Sequence, residues 1–167
     1  WRPVTWREYA DQIRRAGLYL VNAGLESGDH AAIFAPNRIE WTSAALGIQG
    51  VGGVMVPIYA SNTAESAAYI VDHSDAKFVF VDTPELLRRV FAAWDAYDEV
   101  EKVILVAVAL DPEAVVDELE AGDEPLHTDR LPDTDDFDER IVRWSKVQAV
   151  GKKLERANPG NFERLMD

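Results

Sequence analysis

Ala31-Ala32-Ile33-Phe34-Ala35 and its three successors, Val54-Met55-Val56-Pro57-Ile58, Phe78-Val79-Phe80-Val81 and Val103-Ile104-Leu105-Val106-Ala107-Val108, decide the fold. Their centres stand roughly 23 to 26 residues apart, and each gap holds one segment of helical period. That alternation is the pattern of βαβ units. The runs are continuously apolar, as parallel strands are when both faces of their sheet are covered. The fold expected is α/β, an open, mostly parallel sheet flanked by helices. Such a pattern does not give strand order.

Helical signals fill the spaces around the runs. Thr5-Trp6-Arg7-Glu8 is a capping box, in which the Thr hydroxyl caps the N3 amide and Glu8 reaches back. Tyr9, Ile13, Ala16 and Leu20 follow on one stripe, and Gly24 is the natural stop. A second helix is expected after Asn37, with Glu40 three residues on, through Trp41, Ala44, Ala45 and Ile48. A third runs Ala64–His73 after Asn62-Thr63, and a fourth opens at Thr83-Pro84-Glu85 and reaches about Tyr97. Ile141 to about Ala157 reads as a last long helix interrupted at Gly151 and ended by Asn158-Pro159-Gly160.

The 167 residues suffice for one domain or slightly more, and an apolar fraction of 47% is that of a globular chain. Cysteine is absent, which excludes disulfides, thiolate catalysis and Cys-based metal sites. With 17 Lys+Arg against 30 Asp+Glu the net charge is −13, which disfavours generalised binding to nucleic acid or anionic lipid. No apolar run approaches the roughly 20 residues of a membrane span. The chain opens Trp1-Arg2-Pro3-Val4, with no initiating Met and no signal-peptide shape, so a piece of a longer polypeptide is expected.

The charge is uneven. Residues 1–110 carry a net −5, residues 111–140 carry 13 acids against only Arg130 and Arg140, and residues 141–167 carry a net +3. With Pro112, Pro125 and Pro132 the middle block reads as a solvated connector. The division expected is an α/β subdomain over 1–110, an acidic connector over 111–140 and a helical segment over 141–167. Asp133-Thr134-Asp135-Asp136-Phe137-Asp138-Glu139 lacks the central Gly and distal Glu of a calcium loop.

Ligands of open α/β sheets sit at the carboxyl ends of the strands. Ala35-Pro36-Asn37-Arg38 after the first strand is no glycine-rich turn, and Gly50-Val51-Gly52-Gly53 precedes a strand, as a helix stop does. Asp82 ends the third strand, where a receiver domain carries its phospho-acceptor. The carboxylate pair and late lysine that such a site needs are missing, so Asp82-Thr83-Pro84 reads as turn and cap. His30, His73 and His127 form no metal-spaced pair. Trp41 beside Glu40 reads as packing rather than as a ligand wall.

An ordered series of short motifs carries more. Thr5-Trp6-Arg7-Glu8-Tyr9 is followed by Gly24-Leu25-Glu26-Ser27-Gly28-Asp29, Pro36-Asn37-Arg38-Ile39-Glu40-Trp41 and Gly53-Val54-Met55-Val56-Pro57-Ile58-Tyr59, then by Ala68-Tyr69-Ile70 and Ser74-Asp75-Ala76-Lys77. The series resembles the opening of AMP-forming acyl-CoA synthetases, the adenylate-forming ligases. The Pro-Asn-Arg-x-Glu-Trp box and the late Trp144-Ser145-Lys146-Val147 with Gly151-Lys152-Lys153 resemble the long-chain fatty-acid branch. The likeness is dense over residues 5–90, thin across the acidic block and partial from 141 onward.

The resemblance implies a two-step reaction. A fatty carboxylate attacks the α-phosphate of ATP to give acyl-adenylate and pyrophosphate, and the thiol of coenzyme A then displaces AMP. It implies Mg²⁺ and a Gly/Ser/Thr-rich loop ending in Pro-Lys to neutralise the phosphates. No stretch here matches that loop, the adenine-side aromatic motif, the ribose-binding Asp or the C-terminal catalytic Lys. No catalytic, cofactor-binding or metal residue is therefore assigned to this chain. The expectation is the N-terminal subdomain of a long-chain fatty-acid–CoA ligase, truncated before its phosphate-binding loop and inactive alone. ATP, Mg²⁺ and coenzyme A would belong to the full-length enzyme, cytoplasmic or peripherally membrane-attached. Its partners would be small molecules, without nucleic acid or an integral membrane segment; a homodimer is left open. The alternative is a free-standing, non-catalytic α/β binding or receiver-like module.

Overall fold

The computed structural model describes residues 3–122 and 126–166; Trp1, Arg2 and the connector's Pro125 lie outside them. The strands are β1 (His30–Phe34), β2 (Val54–Ile58), β3 (Ala76–Val81), β4 (Lys102–Leu105) and β5 (Ile141–Arg143). The helices are α1 (Trp6–Asn22), α2 (Ile39–Gly50), α3 (Ala64–His73), α4 (Pro84–Phe91), α5 (Pro112–Ala121), α6 (Trp144–Ala157) and α7 (Asn161–Leu165). Two units interleave along the chain: residues 1–29, 37–55 and 145–167 form one, and residues 30–36 and 56–144 the other. No helix of the described residues is long and apolar enough to cross a membrane.

The sheet has the order β2-β1-β3-β4-β5, and the pairings of β1 with β3, β3 with β4 and β4 with β5 are parallel. Ala32, Phe34, Val79, Val81, Val103 and Leu105 point to one face. There they pack on α3 through Ala67 and Val71, on α4 through Leu87 and Phe91, and on α5 through Val115 and Leu119. Residues of the opposite face, Ile33, Phe78, Phe80 and Ile104, are fully buried too, with the Phe80 ring edge-on to Trp144 at 6.3 Å. Burial on both faces is what the continuous apolar runs foretold, and it holds for β1, β3 and β4; β2, at the sheet's edge, is exposed or half-buried except at Ile58.

The first unit is helical. The capping box at Thr5 is complete: its hydroxyl accepts from the Glu8 amide at 3.2 Å and the Glu8 carboxylate accepts from the Thr5 amide at 2.8 Å. α1 ends in a Schellman turn, with Gly24 at φ 106 and the Leu25 amide donating to the Leu20 carbonyl at 2.9 Å. The glycine cluster is the same device on α2: Gly52 has φ 83, and the Gly53 amide donates to the Ile48 carbonyl at 2.9 Å. α6 is tied to α1 by Glu155, which accepts from Arg14 Nε at 2.9 Å and Arg15 Nε at 3.4 Å, and by Gln148 donating to the Gln12 carbonyl at 3.1 Å.

Several boundaries differ from the sequence reading. Ile141–Arg143 is a fifth strand, not a first helical turn, because its β-branched pair completes the sheet with Val103 opposite Ile141. β4 stops at Leu105, and Val108 lies beyond it in an exposed turn. α2 is capped by Arg38, not Asn37, and has no side-chain cap bond. α4 ends at Phe91, after which Ala93 (φ −134, ψ 38) breaks the path before a separate 3-10 turn, Trp94–Tyr97. Gly151 does not interrupt α6.

The acidic block is not all solvated connector. Asp111 accepts from the Ala114 amide at 3.4 Å, Pro112 opens α5, and Val115, Val116 and Leu119 are buried. Farther on, Asp136 is buried at 6% exposure. Its carboxylate accepts from Arg130 Nη1 at 2.6 Å, Arg140 Nη1 at 2.9 Å, Trp94 Nε1 at 3.1 Å and the Asp133 amide at 3.2 Å. The Arg140 guanidinium lies 4.6 Å from the Trp94 ring centroid and also donates to the Val100 carbonyl. Burial alone would raise the Asp136 carboxyl; these donors outweigh it and hold the group below the ordinary carboxylate value.

Candidate functional site

The order β2-β1-β3-β4-β5 reverses direction between β1 and β3, and ligands of open sheets favour the carboxyl side of that reversal. Register builds the edge there. Phe34 stands opposite Val81, Val81 opposite Leu105 and Leu105 opposite Arg143, so Ala35, Asp82 and Val106 emerge side by side. The Val106 amide extends the ladder by donating to the Val81 carbonyl at 2.8 Å.

Asp82 sits at the reversal with 3% exposure and is engaged within the fold. Thr83 does what its position foretold: its hydroxyl accepts from the Leu86 amide at 3.2 Å and caps α4. A phospho-acceptor must reach a soluble donor, and so buried a carboxylate does not.

The flanking loops of this edge are pinned by arginines. Arg89 donates to the carbonyls of Ala60 at 2.9 Å and Asn62 at 2.7 Å, and pairs with Glu85, which fixes the turn after β2. Arg143 donates to the Leu110 carbonyl at 2.6 Å and fixes the turn after β4. Between these anchors Tyr59 and Val108 stand out at 78% and 90% exposure. The edge thus offers a rigid rim with an aromatic and an apolar contact. Arg89 spends its donors on two backbone carbonyls and the Glu85 carboxylate, while Arg143 gives Nη1 to the Leu110 carbonyl.

Other sequence candidates lie apart. His30 begins β1 at the opposite end of the sheet; His73 stacks on Tyr69 with ring centroids 5.3 Å apart; His127 faces Glu65 at 3.3 Å. Among the described residues no three His, Asp or Glu side chains are grouped to hold a metal. Trp41 is half-buried on α2, and its neighbour Glu40 accepts from Arg38 Nε at 2.7 Å. Toward the amino ends of β3 and β4 a cleft of about 520 Å³ is lined by Asp72, Asp75, Asp95, Asp98, Glu99 and Glu101, a surface that repels phosphate. Such a cleft repels the ATP phosphates, and no group of three carboxylates or imidazoles among the described residues is placed to hold Mg²⁺.

The sequence reading missed the pinning arginines and the Asp136 network. A signal for the latter was present: the only two bases of the acidic block, Arg130 and Arg140, bracket Asp136 at −6 and +4.

Known proteins show the same framework. The chain is 39% identical over 83 residues to the long-chain-fatty-acid–CoA ligase FadD15 of Mycobacterium tuberculosis, which is 50% of this chain and 14% of that one. It is 32% identical over 92 residues to the long-chain-fatty-acid–CoA ligase ACSBG2 of Rattus norvegicus, 55% of this chain and again 14% of the relative. It also matches the uncharacterized protein Rv1549 of M. tuberculosis, 34% identical over 79 residues, 47% of this chain and 45% of that one. The fold is that of the anthranilate CoA ligase AuaEII, solved with anthranoyl-AMP, at a TM-score of 0.63 and 17% identity over 78% of this chain and 25% of that one. The chain thus spans only 14% of the length of the ligases it matches by sequence. The family model of AMP-binding enzymes matches residues 1–147, and the chain belongs to that family.

Proposed function

We propose that this chain is the N-terminal part of an ATP-dependent, AMP-forming long-chain fatty-acid–CoA ligase, and that it supports the acyl and adenylate site without supplying a reacting group. The observation that carries the reading is the identity to fatty-acid–CoA ligases over about half of this chain. The buried Asp82 and the committed Arg89 support the second clause. On this reading the whole enzyme activates a fatty acid with ATP and Mg²⁺ in the cytoplasm and passes it to coenzyme A. The sheet subdomain, the acidic block and the segment from 141 onward lead up to its phosphate-binding loop, and a homodimer of the whole enzyme belongs to the same proposal.

The test is palmitate-dependent ATP–pyrophosphate exchange. The full-length enzyme is expected to catalyse it and the isolated 167-residue chain to give only background. Exchange by the isolated chain contradicts the second clause; exchange by the full-length enzyme with aryl acids but not fatty acids contradicts the first.

A second reading, a free-standing α/β module without catalysis, is favoured by one observation. The 79 residues matched in Rv1549 are 45% of that protein, so a relative of this ladder is itself a short chain. Its receiver-like version is disfavoured by the burial of Asp82.

A further inference from the structure

The helix α7 has only 5 residues and follows the turn Asn158-Pro159-Gly160, in which Gly160 has φ 75. Arg164 staples that turn, donating to Asn158 Oδ1 at 2.8 Å, to Asn161 Oδ1 at 3.4 Å and to the Pro159 carbonyl at 3.5 Å. So short a helix does not hold itself in water. Phe162 is its one buried side chain, at 5% exposure. The ring is seated between α1 and α2 on two glycines. A Cβ at position 17 would stand 2.5 Å from Phe162 Cε2, and one at position 50 would stand 2.5 Å from its Cζ.

Neither glycine is demanded by its own backbone. Gly17 lies inside α1 and Gly50 closes α2, and neither has a positive φ. Alanine would serve a helix better at both positions. The missing side chains admit the ring. The other side chains of α7 are half-buried or exposed, so this one seat sets where the chain leaves the unit formed by residues 1–29, 37–55 and 145–167. A segment without such a tie frays.

We infer that Phe162 is a positioning residue for adenylate formation: seated on Gly17 and Gly50, it fixes the direction in which the chain runs on to the phosphate-binding loop, and through that loop the placement of ATP. The inference rests on the ligase reading, in which the loop follows α7. A misplacement of about 1 Å at reacting groups is enough to slow a reaction severely. The second half-reaction is the internal control. Acyl-adenylate keeps one of the three phosphates of ATP, so thioester formation draws less on that loop.

The test compares two rates in the full-length enzyme: palmitate-dependent ATP–pyrophosphate exchange, and thioester formation from palmitoyl-adenylate and coenzyme A. Phe162→Ala is expected to lower kcat/KM for ATP in exchange by about tenfold, while thioester formation stays near the wild-type rate. Phe162→Leu, which refills most of the seat, should restore most of the exchange. Gly50→Ala, which blocks the seat from the other side, should reproduce the loss and reads the same ratio where Phe162→Ala is unstable. The ratio of two rates in one preparation does not depend on the fraction folded. A wild-type ratio in Phe162→Ala or Gly50→Ala therefore overturns the inference, because the seat then serves stability alone. Wild-type enzyme that gives no exchange with palmitate overturns the ligase reading and this inference with it; wild-type exchange with unchanged ratios in the variants overturns this inference only.

Discussion

Gly151 of α6 lies directly against the backbone of Arg15 in α1: a Cβ at position 151 would stand 2.6 Å from the Arg15 Cα. Helix backbone cannot step aside as a side chain can, so the space is closed. The glycine that looks like a helix breaker in the sequence is the residue that lets two helices touch.

The relationship reverses a familiar substitution. In an exposed helix interior Gly→Ala stabilises by about 1 kcal/mol. Here Gly151→Ala is expected to destabilise by about 2 kcal/mol through overpacking. Urea unfolding of the two proteins checks the sign, and a gain in stability refutes the packing described.

The carboxylate of Asp136 gathers Arg130, Arg140 and Trp94 around one buried point. Asp136→Ala leaves both guanidinium groups without it and is expected to cost about 3 kcal/mol. The carboxyl is held below its ordinary value in the folded protein. Its contribution is therefore complete above about pH 4, the range of an unfolded aspartate, and is lost as pH falls through the folded value. Thermal melts of wild type and Asp136→Asn at decreasing pH should converge below about pH 4. A constant gap across that range contradicts the charge account.

Arg89 holds the turn after β2 through two carbonyls. Arg89→Ala is expected to lower stability by about 1–2 kcal/mol. It should also speed amide exchange at residues 59–63, while the amides of β3 stay protected. Uniform acceleration across the sheet means that Arg89 serves the core and not the rim.

Much of the fold was legible because burial on both faces writes itself as continuous apolar runs. Val54–Ile58 was read to the residue from the same kind of run, although at the sheet's edge only its Ile58 is buried. Ile141–Arg143 was not, since three residues ahead of a strong helix carry too little pattern to declare themselves. Val115, Val116 and Leu119 were hidden for a different reason: three apolar positions among acids suffice to anchor a helix on a sheet, yet charge dominates the composition. At the carboxyl edge, Thr83 could be placed as a cap from its Pro84-Glu85 sequel. The roles of Arg89 and Arg143 could not, because their partners are backbone carbonyls that carry no sequence signature.

The central claim is that this ladder opens a fatty-acid–CoA ligase whose phosphate-binding loop lies downstream. Reading the coding frame past Asp167 tests it most directly. The account predicts a Gly/Ser/Thr-rich run ending in Lys within about twenty residues, a length a connecting loop can span. A frame that closes near Asp167 contradicts it and leaves the binding-module reading.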